Sequence, residues 1–250
     1  MIKDLEAIPN TELKKNLNDF VSAMSERSGD NLNSIMLYGG VAKNDYVVGK
    51  SNVNVLLVFE KMDLEILESL CVLFQKAIAD FKFAPFILTT SEIAPSSDVF
   101  AVKLFDIKQH HLLLYGADLV SSIIFENKNL QFIAEHDLRN QLSRMKFFYI
   151  RNFNLPEQLL SQLKKSFTTL LINANMLMYL RKGTYFKTRD EIINNLLRES
   201  DMDAAILNEL QKVRNKEFEA TPEKLKYLYD KLMLQYKLLI DVLKQMKSNA

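Results

Sequence analysis

Several features that would point to particular classes of protein are scarce in this sequence. The single cysteine, Cys71, excludes an intrachain disulfide and fits a reducing compartment. Because it lies in an apolar stretch with helical spacing, we expect Cys71 to be a small buried residue and not a nucleophile. The 32 basic and 31 acidic residues leave a formal net charge of +1, which indicates neither nucleic acid nor an anionic membrane as a partner.

Long uncharged apolar runs are also missing. A membrane-spanning helix needs about 18 or more such residues, and charged or amide side chains interrupt every apolar segment. The first residues carry charges where a signal peptide would need an apolar core. We therefore expect a cytoplasmic protein with no membrane partner. The 250 residues are enough for one large domain or two modest ones, and the 48% hydrophobic content is ordinary for a folded chain.

Strand-like runs are confined to the first half of the chain. These short runs, rich in Val, Ile, Leu and Phe, are Leu32 to Tyr38, Val53 to Phe59, Pro85 to Thr89 and Val99 to Phe105. Stretches with helical apolar spacing lie among them, at Thr11 to Glu26 and Met62 to Phe81. This alternation predicts a small α/β (α+β) domain with a mixed sheet over residues 1–125.

Beyond about Phe125 the pattern is helical throughout. Amphipathic helices are predicted at Asn129 to Asn152, Pro156 to Lys182, Arg189 to Glu199, Met202 to Phe218 and Pro222 to Lys247. Thr188 and Glu191 have the spacing of a capping box, and Gly183 follows a long helix where a left-handed residue is favoured. Short connections favour an antiparallel helical bundle, which we expect as a second, all-α domain over residues 126–250.

The most informative stretch joins the first two predicted strands. The first strand ends in Leu37-Tyr38-Gly39-Gly40, and the second begins with Ser51-Asn52-Val53-Asn54. This arrangement resembles the signature of the nucleotidyltransferase superfamily, in which one strand ends in Gly-Ser and the next carries Ser-Asp-x-Asp. With the helical second half, the whole chain is similar to the two-domain enzymes of the kanamycin nucleotidyltransferase type. The resemblance implies that fold and a nucleotide site beside the Gly-Gly pair.

The sequence departs from the family at the residues that carry its activity. In the family, the two aspartates hold divalent metal ions that bind the triphosphate and activate the attacking hydroxyl; here these positions are Asn52 and Asn54. Residues two apart on a strand share a face, so we expect both amides to project together. Neutral amides bind Mg²⁺ weakly, because Mg²⁺ favours anionic oxygen ligands. Gly40 replaces the serine, which removes its hydroxyl and keeps the backbone donors.

A third acid completes the family's metal site on a later strand. In the predicted strand Val99 to Phe105 the matching residue is Lys103, with Asp106 as the competing match. On a regular strand the two residues have opposite parity, so at most one of them faces the asparagines. If Lys103 is the match, the charge at the three positions changes from −3 to +1. Such a site would repel Mg²⁺, and the lysine amine would bind phosphate directly.

Two functions follow as hypotheses. The first is a catalytically inactive nucleotidyltransferase-like protein, without metal or other cofactor, that binds a nucleotide, a phosphate or a partner protein; the residues expected to bind the ligand are Gly39, Gly40, Ser51, Asn52, Asn54 and Lys103. The alternative is an active enzyme that transfers NMP from an NTP to a hydroxyl, with Mg²⁺ held by residues such as Asp45, Asp98 or Asp106. A homodimer is possible in either case. We expect His110 and His111 to be exposed polar residues.

Overall fold

The computed structural model describes residues 3–199, 202–215 and 221–248. These residues divide into two compact units, with the boundary between Phe125 and Glu126. That the two units are separate domains, as the composition change suggests, stays a prediction. None of the helices in the described ranges is both long and apolar enough to cross a membrane.

The described part of the first unit contains a four-stranded sheet. Its strands are β1 (Leu32–Tyr38), β2 (Val53–Phe59), β3 (Phe83–Thr89) and β4 (His111–Gly116). The order across the sheet is β3-β2-β1-β4. β1 pairs antiparallel with both β2 and β4, whereas β2 and β3 are parallel. The predicted mixed sheet is therefore confirmed.

Helices cover both faces of this sheet. They are α1 (Thr11–Ser28), α2 (Leu64–Phe81), α3 (Thr90–Val99) and α4 (Ala101–Gln109). α1 begins where the side chain of Asn10 accepts a hydrogen bond from the Leu13 amide at 2.6 Å. α1 and α2 pack on one face of the sheet in a cluster that includes Leu17, Phe20, Leu37, Val55 and Leu57. α4 packs on the opposite face in a cluster that includes Met36, Leu56, Val58, Leu104 and Ile107. We call this second face the α4 face.

The predicted strand over Val99 to Phe105 is wrong, because this segment forms the end of α3 and the first half of α4. A short continuous apolar run does not distinguish a buried strand from a buried helix. Here Val102, Leu104 and Phe105 are all buried, so α4 has no clean polar side to reveal its helical period. The strand that pairs with β1 is instead β4, which the sequence did not predict. β4 is an edge strand that begins at a histidine and is interrupted by a register shift, and both features obscure its alternation.

The expected burial of Cys71 is also wrong, because this residue is exposed on α2. α2 is more apolar than its buried side requires. Leu70, Ala77 and Phe81 are buried, whereas Val72 and Ile78 are exposed. Apolar content therefore did not identify which side of α2 faces the sheet.

The second unit is helical, with α5 (Asn127–Asn152), α6 (Pro156–Lys182), α7 (Arg189–Glu199), α8 (Ala204–Asn215) and α9 (Pro222–Ser248). These bounds confirm the five predicted helices to within two residues at each described end: α5 begins two residues early, α8 begins two residues late, and α9 ends one residue late. Residues 216–218 of the predicted end of α8 lie outside the described ranges. Gln131 donates to the Leu243 carbonyl at 2.7 Å, and the Tyr229 hydroxyl donates to the Met145 carbonyl at 2.9 Å. The start of α5 therefore lies beside the end of α9, as in the predicted antiparallel bundle.

Candidate functional site

The turn after β1 requires glycine at one of its two glycine positions. Gly39 has a φ of +68°, and a Cβ added to it would lie 2.7 Å from Nδ2 of Asn54. The left-handed backbone disfavours a side chain there, and a Cβ would also require the Asn54 amide to shift. At Gly40 the φ is not positive, and an added Cβ would lie 3.4 Å from the Asp45 carbonyl oxygen, which is an ordinary contact. The position that carries serine in the family therefore has room for a side chain.

The loop from Gly40 to Asn52 is held by its own hydrogen bonds. The amides of Lys43 and Asp45 donate to the carbonyls of Gly39 and Gly40 at 3.0 and 2.8 Å. The Ser51 hydroxyl accepts from the Val47 amide at 3.1 Å, so this side chain closes a turn within the loop. Asn52 precedes β2 and is exposed.

A line of polar side chains crosses the sheet where β1 ends. Tyr38 pairs with Asn54 on one side and with His111 on the other. Directly paired residues on neighbouring strands share a face, so all three side chains lie on one face of the sheet. Alternation places this line on the same face as Met36 and Leu56, which is the α4 face.

Lys103 reaches the α4 face from the helix that covers it. Its Nζ lies 3.5 Å from the centroid of the Phe86 ring and 5.7 Å from that of Tyr38, so the ammonium group makes a cation–π contact with Phe86. Although the residue as a whole is exposed, desolvation of the amine lowers the pKa of Lys103. Lys103 therefore lies near Tyr38, the direct partner of Asn54, and reaches it from a helix and not from a strand. Its convergence with Asn52 and Asn54 stays a prediction.

The helical conformation also changes the expected relation between Lys103 and Asp106. Three residues apart on α4, they lie on neighbouring positions of one helix surface, so the parity argument does not apply. Asp106 forms an ion pair with Lys43, and the two side chains are only 7% and 13% exposed. Burial, and then the charge of Asp106, raises the pKa of the Tyr38 hydroxyl, which therefore stays neutral at physiological pH.

His111 is mostly buried, contrary to the expectation of an exposed residue. Its side chain is 11% exposed, with Nδ1 2.8 Å from the Ile107 carbonyl oxygen and Nε2 3.3 Å from Oδ2 of Asp118. Burial alone would raise the pKa of Asp118, but hydrogen bonds from Ser121 and Val120, together with His111, lower it. The aspartate at 118 followed by serine at 121 is the turn pattern that would have indicated the local turn around Asp118 from the sequence.

The side chains on the α4 face do not fit a pair of divalent cations. Asn54 offers a neutral amide, Lys103 adds a positive charge, and the Asp106 carboxylate contacts Lys43. Across the ranges that the structure describes, no three His, Cys, Asp or Glu side chains are grouped to hold a metal ion. Asp98 is exposed on α3, and Asp45 lies half-buried in the loop after Gly40. The residues considered for an alternative Mg²⁺ site are therefore not gathered into one.

A cavity of about 300 Å³ lies elsewhere, between the start of α1 and the loop after β1. Its walls include Ile8, Leu13 and Val41, which belong to the apolar cluster on the other face of the sheet. The cavity is therefore distinct from the group around Lys103.

The arrangement of a small mixed sheet followed by a helical unit occurs in a known enzyme. The chain is similar to spectinomycin adenyltransferase AAD(9) from Enterococcus faecialis, whose structure was solved with ATP and spectinomycin. The TM-score is 0.63 at 12% identity, over 89% of this chain and 98% of that one. The chain has a nucleotidyltransferase fold. This confirms the expected fold class.

Sequence comparisons add nothing to this assignment, because no family model and no curated protein matches the chain. At 12% identity, the likeness to the adenyltransferase describes the nucleotidyltransferase fold alone. Function must therefore be argued from the residues that this nucleotidyltransferase fold presents on the α4 face.

Proposed function

We propose that this protein is a catalytically inactive member of the nucleotidyltransferase fold that binds a phosphate-bearing ligand, such as a nucleotide, without a metal ion. The observation that carries the proposal is the Lys103 ammonium group, which lies over Phe86 on the sheet face shared by Tyr38 and Asn54. An ammonium group is a compact cation with three donors, suited to a phosphate oxygen.

The charges on the α4 face favour an anion over a cation. Lys43 and Lys103 contribute two positive charges, and Asp106 contributes one negative charge. These three residues therefore carry one net positive charge, whereas the Asp118 carboxylate is held beside His111. The glycine turn and the amide of Asn54 supply neutral hydrogen-bond donors nearby, which suits an anion that approaches the backbone closely.

The same residues argue against nucleotidyl transfer. Two-metal catalysis relies on carboxylates that fix both ions beside the attacking and leaving oxygens. The amide of Asn54 packs against Gly39, and Asp106 contacts Lys43, so neither supplies a carboxylate free to serve there. Tyr38 is no general base, because its raised pKa keeps the phenol protonated.

A nucleotide is the phosphate-bearing ligand that the fold favours, since the adenyltransferase with this fold was solved with ATP. We propose Lys103 and Asn54 as side-chain contacts and the Gly39–Gly40 turn as the source of backbone contacts. We place Ser51 and Asn52 at the edge of the site. The Ser51 hydroxyl already accepts a hydrogen bond from the Val47 amide, and Asn52 lies just before β2.

Calorimetric titration with ATP tests the proposal. We expect ATP to bind in EDTA at least as tightly as in excess Mg²⁺, with no pyrophosphate released in either buffer. Lys103→Met should weaken binding about tenfold or more, since loss of a charged hydrogen bond costs roughly 1.5–3 kcal/mol. Lys76→Met is the matched control, because Lys76 is exposed on α2, which packs on the other face of the sheet.

The results that overturn the proposal are distinct. Binding that requires Mg²⁺ and is followed by pyrophosphate release would establish the alternative, an active nucleotidyltransferase. Absence of binding in both buffers would leave the fold as a scaffold for a protein partner. Equal losses in the Lys103 and Lys76 variants would show that general charge, and not the α4 face, attracts the nucleotide.

A further inference from the structure

We infer that Asp106 is an internal competitor for the bound anion: its carboxylate holds Lys43 in an ion pair that an incoming phosphate replaces. This inference rests on the proposed function and concerns the regulation of the same site. In the absence of ligand the pair keeps Lys43 neutralised. With phosphate present, Lys43 joins Lys103 as a second cationic contact.

The positions of the three residues support this exchange. Lys103 and Asp106 lie one turn apart on α4, and Lys43 lies three residues after Gly40, in contact with Asp106. The Tyr38 ring, at the end of β1, lies 5.7 Å from Nζ of Lys103. The two lysines therefore approach the end of β1 from the loop and from the helix.

The chemistry of the pair makes phosphate a direct substitute for the carboxylate. Carboxylate and phosphate oxygens both accept charge-assisted hydrogen bonds from an ammonium group. A phosphate dianion brings more charge than Asp106 and contacts both lysines, whereas the carboxylate contacts Lys43. The Lys43 amide is anchored to the Gly39 carbonyl at 3.0 Å, so the exchange needs rotation of the flexible side chain and no movement of the backbone.

Burial explains why the pair does not open without a ligand. The Lys43 and Asp106 side chains are 13% and 7% exposed, so separating them would leave two poorly hydrated charges. Breaking a buried pair is strongly unfavourable. Exchange with a phosphate keeps Lys43 compensated but takes Lys43 from the Asp106 carboxylate, so the ligand must also contact Lys103 to make the exchange favourable. The pair therefore excludes weak anions and yields to a ligand that also contacts Lys103.

The variant Asp106→Asn isolates this competition. It removes the charge that competes with the ligand for Lys43, so we expect inorganic phosphate in EDTA to bind about tenfold or more tightly than to the wild type, a change of about 1.4 kcal/mol. Asp80→Asn is the matched control, because Asp80 is exposed on α2. It should leave the affinity unchanged. Calorimetry with inorganic phosphate measures all three affinities, and circular dichroism verifies folding.

A second variant covers the case in which Asp106→Asn does not fold without an anion. The double variant Lys43→Met with Asp106→Leu replaces the pair by apolar side chains, which buried pairs often tolerate. It should bind phosphate no more tightly than the wild type, since Lys103 alone contacts the anion. If Asp106→Asn folds only in phosphate buffer and the double variant folds in both buffers, the competition is supported.

The outcomes separate this inference from the proposed function. Phosphate binding by the wild type with no gain in Asp106→Asn would overturn the competition and leave the proposed function standing. An equal gain in phosphate affinity in Asp80→Asn would also overturn it, because removing any negative charge would then raise the affinity. The same gain in the double variant would overturn it too, because the affinity would then rise without Lys43. Absence of phosphate and ATP binding in every variant would overturn both proposals.

Discussion

Nδ2 of Asn54 lies 2.7 Å from the point where a Cβ on Gly39 would stand, so the asparagine and the glycine constrain each other. The amide covers the turn at the end of β1, and the turn keeps its left-handed backbone because no side chain is present. Gly40, one residue later, carries neither constraint. The two glycines of the pair are therefore unequal in what they contribute to the fold.

Substitutions at the two glycines should separate these roles. We expect Gly39→Ala to lower the free energy of unfolding by roughly 2 kcal/mol or more, because a left-handed φ costs about 1–2 kcal/mol with a Cβ and Asn54 must also move. Gly40→Ser should change it by less than about 0.5 kcal/mol. Urea unfolding of both variants measures the difference. Similar losses in the two variants would contradict the geometry of the turn.

The contact with Asn54 can be tested separately from the backbone strain. In the double variant Gly39→Ala with Asn54→Ala the steric conflict is removed and the left-handed φ remains. We expect this variant to be more stable than the sum of the two single changes predicts, because the two residues are coupled. Strict additivity would show that the amide moves aside at no cost.

More of the fold than of the candidate site could be predicted from the sequence, for a physical reason. β1 and β2 are short apolar runs bounded by glycine and polar residues, so local sequence specified them. The same holds for α7, which begins at the capping box of Thr188 with Glu191. The α4 segment is apolar on more than one side, so no period distinguished helix from strand. The Lys43–Asp106 pair spans 63 residues, and the contact of His111 with Asp118 depends on β4, which was itself missed.

The lowered pKa of Lys103 gives phosphate binding a dependence on pH. Desolvation moves this pKa below the ordinary value of 10.5, so the amine loses its proton at a lower pH than a fully hydrated lysine would. The site loses its positive charge at the same pH. As the pH is raised towards 10.5, we expect the affinity of the wild type for phosphate to fall. Lys103→Arg should retain its affinity, because an arginine stays protonated above about pH 12. Parallel declines in both proteins would exclude Lys103 as the titrating contact.

Asp118 should stabilise the protein at neutral pH and cease to do so in acid. Its pKa is lower in the folded protein than the ordinary 3.8, so the unfolded chain takes up the proton first. The stabilisation is fully present above pH 3.8 and is lost as the pH falls through the lowered value. We expect Asp118→Asn to be less stable than the wild type at pH 7 and the two to converge in acid, as measured by urea unfolding. A difference that is constant with pH would contradict this role.

In the second unit, the buried Tyr236 tests the packing of α9 against α6. Its hydroxyl donates to the Ser166 carbonyl at 2.7 Å, and both residues are buried. We expect Tyr236→Phe to lower the free energy of unfolding by about 1 kcal/mol, the usual net value of such a bond. Tyr227→Phe is the matched control, because Tyr227 is exposed on the same helix and should tolerate the change. Equal effects of the two changes would place the Tyr236 hydroxyl outside the core.

The proposed ligand site depends on the Lys103 ammonium group, and nuclear magnetic resonance observes this side chain directly. The Phe86 ring should displace the signals of the Lys103 side-chain methylenes, because Nζ lies 3.5 Å from the ring centroid. Lys103→Arg assigns these signals by their disappearance. Adding inorganic phosphate in EDTA should draw the ammonium group off the ring and move the signals, in a saturable way, towards those of exposed lysines. Lys103 signals that stay unchanged while phosphate binds, or that move only when Mg²⁺ is added, would contradict metal-free binding on the α4 face.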